Sequence, residues 1–179
     1  METSQVLRLL AQHPQVKALS EAIRKPRFRS FHVGGLRCSS APLVFAALTQ
    51  RRAALPNLLF VLDDADEAGY FYHDLVQMLG EEQVLFFPSS YRRAIKYNQK
   101  DAANEILRTE VLSRMASTSE QSLYIVSYPE ALAEKVVSKN ELSENTIPVL
   151  KGSSLDFKQL EERLDELGFV RVDYVYEPG

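Results

Sequence analysis

Tryptophan is absent from this chain, and cysteine occurs once, at Cys38. A single thiol excludes an internal disulfide and any zinc site built from cysteines. The histidines, His13, His32 and His73, show no ligand spacing either. No apolar run approaches the roughly 18 residues that a membrane-spanning helix needs. The N-terminal stretch lacks the basic and apolar regions of a secretion signal. A cytoplasmic protein with no membrane partner is therefore expected. Positive charge is not in excess: 21 basic side chains face 24 acidic ones, for a net charge of −3. Such a balance gives no global field to hold nucleic acid by counterion release. Any contact with DNA must come from a local patch, either Arg24, Lys25, Arg27 and Arg29, or Arg92, Arg93 and Lys96. The second patch lies among Tyr91 and Tyr97, a mixture that single-strand binders use. Both clusters fit equally well as solvated faces.

What is present is an ordinary globular composition, 45% hydrophobic and 25% charged over 179 residues. That length suits one large domain or two small ones. Residues 4–24 show apolar positions at helical spacing, and Pro14 is placed to split or kink the helix. Phe28 to Val33 reads as a short strand, and Ala41 to Arg51 as an apolar helix. Leu58 to Leu62 is a continuous apolar run, expected as a strand buried on both faces. A helix over Asp66–Leu79 stops at Gly80. A strand over Val84–Phe87, a helix over Ala102–Met115, a strand over Leu123–Val126 and a helix from Pro129 to about Val137 follow. Strands alternating with helices predict an α/β fold with a parallel sheet.

Beyond Lys139 the rhythm changes. Ile147–Leu150 reads as an edge strand, Ser154 as the cap of a helix ended by Gly168, and Val170–Tyr176 as a half-exposed strand. We therefore expect one α/β domain over residues 1–139 and a small, partial β-α-β domain over 140–179, with Ser138–Asn145 as the boundary.

The segment Gly35-Leu36-Arg37-Cys38-Ser39-Ser40-Ala41-Pro42 has the outline of a phosphate-binding loop without its chemistry. A working loop ends in Gly-Lys-Ser/Thr between a strand and a helix. Here Ser40 stands for the second glycine, Ala41 for the lysine and Pro42 for the magnesium-binding hydroxyl. Nothing is left to reach the β and γ phosphates, and Mg²⁺ loses a protein ligand. The same residues also fit an ordinary loop before a helix cap. Asp63-Asp64, ending an apolar strand, has the look of a Walker B pair, but acids there commonly cap the next helix. His73 and Asp74 are sequence neighbours and diverge by about 100° on a helix, which argues against a base and its orienter. No metal site, catalytic residue or cofactor-binding residue is expected in this chain.

Several motifs then recur in a specific order. They are Leu59-Phe60-Val61-Leu62-Asp63-Asp64, Leu85-Phe86-Phe87-Pro88-Ser89-Ser90-Tyr91, and Lys100-Asp101-Ala102-Ala103-Asn104-Glu105. Ile125-Val126-Ser127-Tyr128-Pro129-Glu130-Ala131-Leu132, Lys151-Gly152 and Val175-Tyr176-Glu177-Pro178-Gly179 follow. With the strand before Gly35, they resemble the N-terminal module of the bacterial transcription-repair coupling factors (Mfd), itself similar to the first domains of the excision-repair protein UvrB. The resemblance covers nearly the whole chain. It implies a degenerate P-loop NTPase-like fold, a role in transcription-coupled nucleotide excision repair, and UvrA as a partner. ATP and Mg²⁺, duplex DNA and RNA polymerase belong, in that family, to regions downstream of this module.

Two departures from UvrB follow from the resemblance. UvrB keeps an intact phosphate loop, whereas the aligned positions here are Ser40, Ala41 and Pro42. The stretch Ser89–Asn104 is also too short for the UvrB hairpin that clamps damaged DNA. The expected chain is thus a non-catalytic docking module that begins the UvrA-binding domain without finishing it. Arg171, Tyr174 and Tyr176 are its candidate partner-binding residues, and Arg92, Arg93 and Lys96 its candidate nucleic-acid contacts. Self-association through uncovered strand edges is a further expectation. The rival reading is the nucleotide-binding half of a divergent P-loop helicase or NTPase. A DNA-binding module using the two basic patches is a third.

Overall fold

The computed structural model describes residues 2–25, 30–50, 55–91, 101–117, 122–147, 149–152 and 154–174. The chain divides into two compact units, Met1–Glu134 and Lys135–Gly179; the boundary expected from sequence fell at 139/140.

The first unit begins with helices α1 (Thr3–Gln12) and α2 (Pro14–Arg24). Pro14 separates them because it cannot donate to the preceding turn, yet its fixed φ suits a first helical position. His13 caps the second helix, its Nδ1 accepting from the Gln15 N–H at 3.3 Å. Helix α3 (Ser40–Ala47) tightens into a 3₁₀ turn over Leu48–Gln50. Strand β1 (Leu58–Val61), helix α4 (Ala65–Leu79) and strand β2 (Val84–Phe86) come next. They lead to α5 (Ala102–Ala116), β3 (Tyr124–Ser127) and α6 (Pro129–Ala133). Asp64 caps α4 by accepting from the amides of Asp66 and Glu67, both at 2.9 Å. Gly80 closes that helix at φ 86°, a conformation that costs a glycine little.

The sheet is parallel, in the order β1-β3-β2. Leu59 is level with Ile125, and Leu85 is level with the same residue on the other side. The third strand in sequence thus sits in the middle and is buried along its whole length. On one face, Phe60 meets Phe45 of α3 edge-on at 5.0 Å between centroids, Phe71 of α4 at 5.0 Å, and Tyr124 at 5.9 Å. Tyr124 reaches across to donate its hydroxyl to the Phe45 carbonyl. Burial pushes its pKa up to about 12. On the other face α5 packs against β2, and Leu85 and Ile125 are buried.

That arrangement overturns one expectation. Strand β1 is not buried on both faces: Leu59 and Val61 are 54% and 51% exposed. A continuous apolar run signals burial only when both faces find a cover. Both β1 and β2 are edge strands, yet Leu85 of β2 is buried, so what β1 lacks is a cover on its second face among the described residues. Successive side chains alternate between the faces, so Phe60 is covered and its two neighbours are not. The strand expected over Phe28–Val33 is likewise not formed in its described part, 30–33, while Phe28 and Arg29 lie outside the described residues. The helix from Pro129 stops at Ala133, short of Val137.

The second unit differs from the expected β-α-β piece. Its described residues form α7 (Lys139–Glu144) and α8 (Phe157–Glu166), with no strand among them. The polar stretch from Ser138 to Asn145, expected as the boundary, carries a capping box. Ser138 accepts from the Glu141 amide at 3.2 Å, and the Glu141 carboxylate accepts from the Ser138 amide at 2.9 Å. Those bonds hold the Glu141 carboxyl below the usual carboxylate range. Helix α8 is capped by Asp156 rather than Ser154. Of the two expected strands, residues 147, 149, 150 and 170–174 are irregular, and Pro148, Val175 and Tyr176 lie outside the described residues. The alternation of Val170, Val172 and Tyr174 was legible, but among the described residues it forms no strand.

Candidate functional site

Two places in the first unit bring chemistry together: the loop before α3 and the carboxyl ends of β2 and β3. In the loop, Gly35 sits at φ 84° and Cys38 at φ 49°, so the chain coils tightly before the helix. Ser40 closes that coil. Its hydroxyl lies 2.6 Å from both the amide and the carbonyl of Arg37, and its own N–H donates to the Arg37 carbonyl at 3.0 Å. Ala41 follows, and Pro42 is fully buried with no N–H to offer. A phosphate cradle needs successive free amides at a helix start. Here one of the first helical amides points into the loop and another does not exist.

Behind the loop lies a cavity of about 540 Å³ between α2 and residues 31–36. Its walls are largely apolar, among them Leu10, Val16, Leu19, Phe31 and Leu36, with His13 and His32 beside them. Among the described residues lining it, none is a lysine or arginine. Of the Walker-B-like pair, Asp64 is engaged as a helix cap. Among the described residues no cluster of three or more potential metal ligands occurs.

The second place was not singled out from sequence. Arg108 of α5 is buried against the loop that leaves β2. Its Nη1 donates to the carbonyls of Pro88 at 2.8 Å and Ala131 at 3.0 Å, and its guanidinium lies 4.2 Å from the centre of the Phe87 ring. Nη2 is buried with no hydrogen-bond partner among the described residues. Glu134, at the end of α6, stands 3.5 Å from Nη1. The same carboxylate accepts from the Ser89 hydroxyl at 2.5 Å and from the Ser90 amide at 3.0 and 3.1 Å. Around it, the Ser89 amide donates to the Tyr128 hydroxyl at 2.8 Å, and Asn104 donates to the Ser89 carbonyl at 2.9 Å. Burial alone would raise the Glu134 pKa. The bonds from Ser89 and Ser90 and the Arg108 charge outweigh it and hold the carboxyl below its ordinary value. A carboxylate so stabilised is a poor general base for Ser89, so the cluster reads as a clamp on the β2–α5 loop. The signal for it in sequence was weak: Arg108 and Glu134 look like two surface charges until the fold brings them together.

The remaining candidates scatter. Arg24 donates to Ser20 at 2.7 Å, and Lys25 lies 3.8 Å from Glu21, each bonded along its own helix. Arg27, Arg29, Arg92, Arg93, Lys96 and Tyr176 lie outside the described residues. In the second unit Arg171 is exposed and pairs with Glu161 of α8 at 2.6 Å. Tyr174 is exposed too. Among the described residues no helix is long and apolar enough to cross a membrane. Comparison with known proteins identifies no relative: no family model, no curated protein and no solved structure matches the chain.

Proposed function

We propose that this chain is a non-catalytic docking module of the transcription-repair coupling type, a P-loop-like scaffold that has lost nucleotide binding and presents its second unit to UvrA. The start of α3 carries the reading. Ala41 and Pro42 occupy the positions where a phosphate loop places its lysine and hydroxyl, and the Ser40 amide is committed to Arg37. The cavity behind the loop has largely apolar walls, with no lysine or arginine among the described residues that line it. The parallel α/β sheet, with the motifs that resemble the coupling factors lying at the carboxyl ends of β1, β2 and β3, is consistent with the same family of scaffolds. Arg171 and Tyr174 are the exposed residues assigned to the partner. RNA polymerase, duplex DNA and ATP hydrolysis belong, in this reading, to the longer protein of which such a module forms part.

The test is titration of UvrA onto the immobilised chain, alone and within the longer coupling-factor sequence that the resemblance implies. Saturable binding in either form, weakened by Arg171→Glu, is the expected result. Absence of binding in both forms removes the docking assignment.

A further inference from the structure

We propose that Glu134 is the fixed end of a joint connecting the two compact units, and that the pliable part of this joint is Lys135, Val136 and Val137. The first unit ends at Glu134, the residue held by the clamp. Its carboxylate binds the Ser89 hydroxyl and the Ser90 amide beyond β2 and stands against Arg108 of α5. Arg108 in turn fixes the Ala131 carbonyl, one turn back in α6. Two segments remote in sequence thus hold the last turn of the unit from both sides.

Immediately afterwards the support ends. Lys135, Val136 and Val137 are exposed and belong to no helix or strand. Among the described residues none of them makes a backbone hydrogen bond to another backbone group. At Ser138 the chain is fastened again, by the reciprocal Ser138–Glu141 capping box that opens α7. A short free stretch between two pinned ends is the form of a hinge.

The clamp matters because α6 is only five residues long. A helix of that length has little stability of its own in water. Without Glu134 to anchor it, motion in the connection would fray α6 back toward the end of β3. With it, the motion stops at Glu134. The clamp is therefore a positioning device for the connection, built from residues that a catalytic reading leaves unused.

Amide hydrogen exchange on the full chain, resolved by residue, tests this. In the unaltered protein, Ser90 and Leu132 should exchange slowly, and Lys135–Val137 near the rate of an unprotected chain. In Glu134→Ala, the acceleration at the Ser90 and Leu132 amides should exceed that at Tyr124–Ser127 by about tenfold or more. Glu134→Gln, which keeps an acceptor for the Ser90 amide, should fall between. Protection of Val136 and Val137 comparable to that of β3 in the unaltered protein overturns the proposal, whatever the variants do. So does unchanged exchange at Ser90 and Leu132 in both variants. Acceleration across β3 equal to that at Ser90 and Leu132 in both variants also overturns it, since the clamp would then hold the core rather than the connection.

Discussion

The Arg108 guanidinium and the Glu134 carboxylate face each other at 3.5 Å with only 8% and 16% of their side chains exposed. Two charges withdrawn from water this far are costly unless each is paired and hydrogen-bonded. Glu134 meets that condition fully, through Ser89 and Ser90. Arg108 meets it in part: Nη1 has two carbonyls, the flat face of the group lies over Phe87, and Nη2 has no hydrogen-bond partner among the described residues. The pair is thus asymmetric, and the two single deletions should differ.

Removing the carboxylate strands a buried guanidinium. Glu134→Ala should therefore destabilise the protein by about 3 kcal/mol or more, the range found when one member of a buried pair is lost. Arg108→Met should cost less, because Glu134 keeps its three bonds to Ser89 and Ser90 and the apolar chain can still cover Phe87. Denaturant unfolding of the two variants and of Arg108→Met/Glu134→Leu decides it. Recovery in the double variant is expected, since an apolar replacement of both charges removes the uncompensated one.

The pH dependence follows from the sign of the Glu134 shift. Its pKa is lower in the folded chain than the ordinary 4.5. A depressed carboxyl contributes stability that is fully present above its unfolded pKa and is lost as pH falls through the folded one. Between neutrality and pH 5 this group should leave stability unchanged, and below about 4.5 it should release protons on folding and weaken the fold. Glu134→Gln should flatten that acid limb in a series of thermal melts.

Most of the first unit could be read in the sequence, for definable reasons. Helices α4 and α5 and the runs at Val84 and Leu123 carry strong local signals: Asp64 and Asp101 as caps, Gly80 as a stop, and apolar blocks bounded by polar turns. The breakdown came where the answer depended on a neighbour. Leu59 and Val61 are as apolar as the buried residues of β3, and only the lack of a cover on their face among the described residues leaves them exposed. Val170, Val172 and Tyr174 alternate like a strand, yet the described residues 170–174 are irregular. The clamp was missed for the same reason, because no spacing rule links Arg108 to Glu134. The capping box at Ser138 was local and could have been found from its Ser-x-x-Glu pattern.

The one-sided burial of β1 gives a contrast between adjacent residues. Phe60 is wedged among Phe45, Phe71 and Tyr124, so Phe60→Ala should cost about 3–4 kcal/mol through lost contacts and a cavity. Leu59→Lys and Val61→Lys place a charge on the exposed face and should each change stability by less than about 1 kcal/mol. If either lysine variant matched Phe60→Ala in urea unfolding, β1 would have a cover on its second face and its one-sided burial would be wrong.

The loop before α3 yields the prediction most closely tied to function. A ligand bound only by the folded state at about 100 times its Kd stabilises that state by about 2.7 kcal/mol. Mg-ATP at millimolar concentration should give this chain no saturable stabilisation. The Ser40 amide is engaged by Arg37, Pro42 lacks an amide, and no lysine or arginine lines the adjoining cavity among the described residues. Gly35→Val supplies the control, since φ 84° is strained for a branched residue and the loop should be disturbed. A saturable shift in the native chain that disappears in Gly35→Val would mean that the loop binds nucleotide, and the NTPase reading would replace the scaffold. Ala41→Lys with Pro42→Thr separates the remaining causes. Binding that appears only in this double variant places the defect in those two side chains. Its continued absence places the defect in the Ser40–Arg37 turn, which neither substitution removes.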